Sequence, residues 1–233
     1  KAKHICTVSQ FSKDDIMDKY HIAANKISVI YNGASNVFKP VTEAIKQTLK
    51  TRYTSGENYF VYVGALQPRT NISRLLQAFD KFKANDTTSC KLLIVGRKAW
   101  NTKDIETTYE QMKFKEDMVF TGLISDEELA IILASAMALT YIPYLEGFGI
   151  PILEAMQCGT LVITGNITAM PEVAGDAGIL VDPFDTDKIA AAMYEISINE
   201  NLRNELSQKA LIQSKKFSWE KTAELVWGSI RVI

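Results

Sequence analysis

Tyr59-Phe60-Val61-Tyr62-Val63-Gly64 is the stretch on which the fold turns. Five consecutive β-prone side chains without polar alternation describe a strand covered on both faces, as in a parallel sheet layered between helices. Gly64 closes it, and Ile72, Leu75, Leu76, Phe79 and Phe82 then recur at helical spacing, giving strand, turn and amphipathic helix. The pattern repeats outward. Strands are expected at 92–95 before Gly96, at 119–120 before Thr121-Gly122, and at 139–142, 161–164 and 179–181. Helices are expected near 150–158 and 186–198, and an S-x-x-E capping box, Ser125 with Glu128, opens another through Leu129, Ile132 and Leu133. The expected class is α/β, a Rossmann-like doubly wound parallel sheet.

Residues 1–40 read as a separate segment: a strand-like Ile5-Cys6-Thr7-Val8, a cap and short helix from Ser12, and an apolar run over 27–31 ending in Asn32-Gly33. The polar stretch 38–58, with an amphipathic patch near Ile45 and Leu49, is expected to be a connection into the main domain, 41–200. Helices over 200–214 and 218–230 make a C-terminal unit, 201–233. Trp219 and Trp227 in the last helix are expected to pack in the core.

Composition narrows the function classes. Hydrophobic residues at 47% and charged residues at 23% are ordinary for a soluble domain, and 26 basic against 27 acidic side chains leave a net charge of -1. No global positive field exists to gather a polynucleotide, so no nucleic-acid partner is expected. Cys6, Cys90 and Cys158 are scattered and odd in number, against a disulfide framework or zinc site. With no recognisable signal peptide, and with the uncharged run from Leu129 to Leu145 broken by Pro143, a reducing, cytoplasmic setting is expected.

The chemistry concentrates in Glu146-Gly147-Phe148-Gly149-Ile150-Pro151-Ile152-Leu153-Glu154, which follows a strand and opens a helix. Glycines let backbone approach a ligand, Pro151 suits a first helical turn, and the uncapped amides there carry about half a positive charge, a receptor for phosphate. Glu146 and Glu154 flank that seat and are placed to accept hydrogen bonds from two separate sets of hydroxyls. Ile152 stands where a dinucleotide fingerprint needs its third glycine, which disfavours an NAD site. Asp185-Thr186-Asp187 is read as a helix cap rather than a metal-holding D-x-D. Glu172 is read either as a cleft residue or as another cap.

The chain resembles the C-terminal, donor-binding half of family 4 (group 1) retaining glycosyltransferases with the GT-B fold. The resemblance rests on Tyr62-Val63-Gly64-Ala65-Leu66-Gln67-Pro68-Arg69-Thr70-Asn71, Leu93-Ile94-Val95-Gly96, the run from Val119 to Leu129, the E-x7-E segment and Met170-Pro171-Glu172-Val173-Ala174-Gly175, and it covers about residues 1–198. Residues 1–40 resemble the family's crossing from an N-terminal domain, which lies outside this chain. The resemblance implies a nucleotide-sugar donor, a saccharide or lipid-linked acceptor, no metal cofactor, and a cytoplasmic location with contact at the inner membrane face left open.

It also implies roles by position. Glu146 would hold hydroxyls of the transferred sugar, while Gly147, Phe148, Gly149 and Ile150 would offer amides to the diphosphate and sugar. Glu154 would bind ribose, and Leu123, Ile124 and Leu129 would surround the base. Family members commonly carry a basic residue just after the strand-ending glycine, here Gly64, and a lysine before the asparagine, here Asn71; this chain has Ala65 and Thr70 there. Arg69 is the expected substitute cation, with Gly64, Thr70, Asn71, Arg97 and Lys98 as further donor-side candidates. The two missing cations keep alternatives in play: a degenerate domain serving as a scaffold, or a GT-B sugar-nucleotide epimerase.

Overall fold

A computed structural model of the chain describes residues 2–86, 88–97 and 103–231. In chain order the elements are β1 (Ile5–Thr7), α1 (Gln10–Tyr20), β2 (Ile27–Val29), α2 (Glu43–Thr54), β3 (Tyr59–Val63), α3 (Ile72–Asn85), β4 (Lys91–Val95), α4 (Lys103–Gln111), β5 (Met118–Gly122), α5 (Asp126–Ser135), β6 (Ala138–Tyr141), α6 (Ile150–Gln157), β7 (Val162–Gly165), α7 (Met170–Ala174), β8 (Gly178–Val181), α8 (Thr186–Ile198), α9 (Glu200–Ser214) and α10 (Trp219–Arg231).

Six strands form one parallel sheet in the order β5-β4-β3-β6-β7-β8. Every residue of β3, β6 and β7 is buried, the consequence of helices on both faces. The order reverses between β3 and β6, and in doubly wound sheets ligands bind outside the carboxyl ends of the strands at such a reversal. Backbone packs tightly there: a Cβ on Gly96 would stand 2.0 Å from the Gly64 carbonyl oxygen, and both glycines have positive φ.

The first forty residues form a two-stranded parallel sheet, β1 with β2, and α1. Ser9 caps α1, which therefore begins two residues before the expected Ser12. The segment is fastened to the main sheet by Glu172: its carboxylate accepts from the Gln10 amide at 2.7 Å, the Phe11 amide at 3.3 Å and the Tyr31 hydroxyl at 2.7 Å. Glu172 is thus a cap, but for a helix more than 150 residues away. Burial and this carboxylate push the Tyr31 phenol up to about 12.

Other expectations are corrected. The supposed connection over 38–58 contains α2, whose Leu49 is buried, because one apolar side chain per few turns is a weak signal by itself. The capping box is half a box: Ser125 accepts from the Glu128 amide, but the Glu128 carboxylate turns to the Tyr53 hydroxyl at 2.6 Å and Arg52 at 2.7 Å. Helices α4 and α7 were not anticipated. α9 buries Leu206 and Ala210 and packs on α6, so it shares the core of the sheet domain. α10 buries nothing; Trp219 and Trp227 are 48% and 57% exposed rather than core residues. It meets the first segment instead, where Thr222 donates to the Tyr31 carbonyl at 2.6 Å and Gly33 leaves no room for a Cβ beside Trp219. Among the described residues no helix is long and apolar enough to cross a membrane.

Candidate functional site

The loops after β3 and β6, the two strands flanking the reversal, meet side chain to side chain. Arg69, in the turn leaving β3, donates from Nη1 to Oε2 of Glu146 at 2.7 Å. Tyr141, the last residue of β6, donates to the same oxygen at 2.8 Å, and the Gly147 amide reaches Oε1 at 3.2 Å. The Tyr144 amide donates to the Arg69 carbonyl at 3.0 Å, tying the two loops together along their backbones. Tyr141 is buried and stacked on Tyr62, so one edge of the cluster is rigid; burial first, then the charge and hydrogen bond of Glu146, push its phenol far above the ordinary range. The other edge is open, with the Arg69 side chain 51% exposed.

Beyond Glu146 the chain turns through Gly147 and Gly149 into α6. Gly149 sits at φ 91°, and a Cβ there would come within 2.9 Å of Met170 Cε, so both conformation and space demand glycine. Phe148 is 3% exposed, its ring against Tyr31 and Phe217, which anchors the loop from beneath. No acceptor among the described residues takes the N–H of Phe148, Gly149 or Ile150, and Pro151 has none to offer. Three neighbouring amides at a helix start with a glutamate bound just before them make an anion seat with a hydroxyl acceptor at its rim.

Glu154 lies on the fifth residue of α6, half-buried, with no hydrogen-bond or ion-pair partner among the described residues. Burial, then the charge of Asp126 at the start of α5, push its carboxyl up to about 7. An unpartnered carboxyl at that depth is an acceptor awaiting donors. Leu123 is 76% exposed, and Ile124 and Leu129 are partly covered, packed against the core. Arg97 is exposed after β4. Lys98 lies outside the described residues.

Two expected donor-side residues face inward. Thr70 is buried and gives its hydroxyl to the Gln67 carbonyl at 2.7 Å. Asn71 is buried in a left-handed conformation and donates to the Pro183 carbonyl at 2.7 Å. Both bonds hold the turn that presents Arg69, and the buried Oδ1 of Asn71 has no partner among the described residues. The residue that sequence reasoning missed is Tyr141; its position at the end of a fully buried strand before the glycine loop was the available signal. Asp185 does cap α8, accepting from the amides of Asp187 and Lys188.

A family described as "Glycosyl transferases group 1" matches residues 45–213. The chain is 33% identical over 220 residues to the O-antigen chain mannosyltransferase B of Escherichia coli, covering 94% of this chain and 58% of that protein. It is also 33% identical to the O-antigen chain mannosyltransferase RfbU of Salmonella typhimurium, covering 84% of this chain and 51% of that one. The chain therefore spans little more than half the length of these relatives. Among solved structures, Anabaena HepE in complex with UDP and glucose superposes with a TM-score of 0.89 at 18% identity, over all of this chain and 64% of that one, a likeness of fold. The two loops that meet at the sheet's reversal thus belong to a recognised family: this chain is a member of the group 1 glycosyl transferases.

Proposed function

We propose that the chain is the donor-binding half of a retaining glycosyltransferase that moves a hexose, mannose by kinship with the O-antigen enzymes, from a nucleotide-sugar to a saccharide acceptor. The observation that carries the reading is the Arg69–Glu146–Tyr141 cluster set directly before three unclaimed amides. The diphosphate would rest on those amides, and Glu154 would accept from the ribose hydroxyls.

The Arg69–Glu146 pair suits exchange. A half-exposed ion pair contributes about 0 to 1 kcal/mol, so its loss costs little when each partner finds a better one. Arg69 would turn to phosphate oxygens, where charge develops as the leaving group departs, and Glu146 would accept from sugar hydroxyls. Tyr141 and the Gly147 amide would keep the carboxylate aimed while the arginine is away. This reading asks for no protein nucleophile and no metal. Acceptor binding belongs to the part of the protein outside this chain.

Calorimetry with UDP, GDP and ADP tests it. The expected result is saturable binding of one of the three below millimolar, weakened by Arg69→Met and by Glu154→Gln. Absence of binding by all three at millimolar concentration would overturn the reading.

A further inference from the structure

At the opposite, N-terminal end of the sheet a cavity of about 470 Å³ opens between α2, α9 and the turns that enter β6 and β7. Three cations from two helices converge on it: Lys46 and Lys50 of α2 and Arg203 of α9. Their partners leave charge over. Lys46 has Glu43 at 3.5 Å, but among the described residues Lys50 has only the neutral Asn58, donating to its Oδ1 at 2.9 Å. Arg203 spends Nη1 on the carbonyls that end α8, Ile196 and Ser197, and no acceptor among the described residues takes its Nε or Nη2. Glu200, the other carboxylate of the lining, makes no ion pair among the described residues. Burial lowers the pKa of Lys50, Glu43 opposes that, and the neighbouring charges of Lys46 and Arg203 add to the lowering.

A cluster of partly buried cations that repel one another, with a guanidinium already oriented by backbone, is matched by a small polyanion. Arg203 is pre-organised, so little rotamer freedom remains to be lost on binding. In the floor, turn groups pair with one another, the Gly159 amide with the Met156 carbonyl and the Ser207 hydroxyl with the Gly159 carbonyl, so the charged groups facing an anion are the three cations. We infer that this cavity is a binding site for a phosphorylated small molecule, separate from the Glu146 site at the far end of the strands. The inference does not depend on the transferase reading.

The test is a titration of the isotopically labelled 233-residue chain with inorganic pyrophosphate, followed by amide resonances. The two ends report separately: Phe148 and Ile150 for the glycine loop, and Lys50, Asn58 and Gly159 for the cavity. The expected result is saturable shifts at the second group, whether or not the first group responds. Lys50→Met should weaken them about tenfold while leaving shifts at the first group unchanged. Arg203→Met should do the same; because that arginine also ends α8, Lys50→Met is the decisive variant. Shifts confined to the glycine loop, non-saturating shifts spread over surface lysines, or cavity shifts indifferent to Lys50→Met would each overturn the inference.

Discussion

The two ends of the central sheet are unfinished in opposite ways. At the carboxyl ends of the strands the backbone is incomplete: amides at 148–150 lack acceptors and Glu154 lacks a donor, while the available charges, Arg69 and Glu146, already satisfy each other. At the amino ends the turns pair much of their backbone, with Met137 donating to Tyr59, Thr160 to Ala155 and the Thr160 hydroxyl to Leu133 at 2.6 Å, while the cations Lys50 and Arg203 have no carboxylate among the described residues. Buried polar groups are ordinarily paired, so the kind of group left unpaired at each end says what that end can receive. Amides and a carboxyl suit an anion carrying hydroxyls; bare cations suit an anion alone.

Gly149→Val should give the largest effect, because it adds branching where φ is 91° and Met170 Cε already stands 2.9 Å from an added Cβ. The expected loss is about 3 kcal/mol in urea unfolding together with nucleotide binding. Gly147→Ala, facing the movable Ser12 hydroxyl at 3.3 Å and Val8 Cγ2 at an ordinary 3.7 Å, should cost below about 1 kcal/mol. Equal costs for the two would break the contrast between a shaped loop and a merely open one.

Glu154→Gln sharpens the comparison with pH. The folded carboxyl holds its proton to about pH 7 against an ordinary value of 4.5, so the folded state binds more protons than the unfolded state between those values. Stability therefore falls as pH rises through that window, by about 2 to 3 kcal/mol in all. The glutamine variant lacks this penalty. It should unfold at higher urea than the parent at pH 8, match it near pH 4, and still bind nucleotide more weakly. A variant no more stable than the parent at pH 8 would sink the buried-acceptor account.

Arg69→Met should move stability by less than about 1 kcal/mol yet weaken nucleotide binding roughly tenfold, since the exposed pair with Glu146 is weak and the phosphate contact strong. Tyr141→Phe should be the mildest, about 1 kcal/mol in unfolding, from one hydrogen bond to a carboxylate that keeps two other donors.

Much of this was legible because strands buried on both faces announce themselves: the runs at 59–63 and 92–95 needed no context, and β4 and β3 do lie side by side. The E-x7-E segment was readable since glycine, proline and carboxylate each have a local reason to be there. What escaped depended on partners distant in the chain. Thr70 looked like a ligand residue until its hydroxyl was seen to close its own turn. Trp219 and Trp227 looked like core because size favours burial, but α10 lies against the first segment and the end of α9 with both indoles about half exposed. The cavity between α2 and α9 had no sequence signature, as Lys50 and Arg203 are ordinary helix-surface residues until the fold brings them together.

The reach of Glu172 has a consequence for the order in which the molecule can assemble. Helix α1 buries none of its own residues, and the carboxylate that receives its first amides lies 161 and 162 positions later. Because synthesis proceeds from the amino to the carboxyl end, α1 emerges more than 150 residues before the carboxylate that docks it exists. A segment made well before the sheet is thus held in place only once the last strands are near completion.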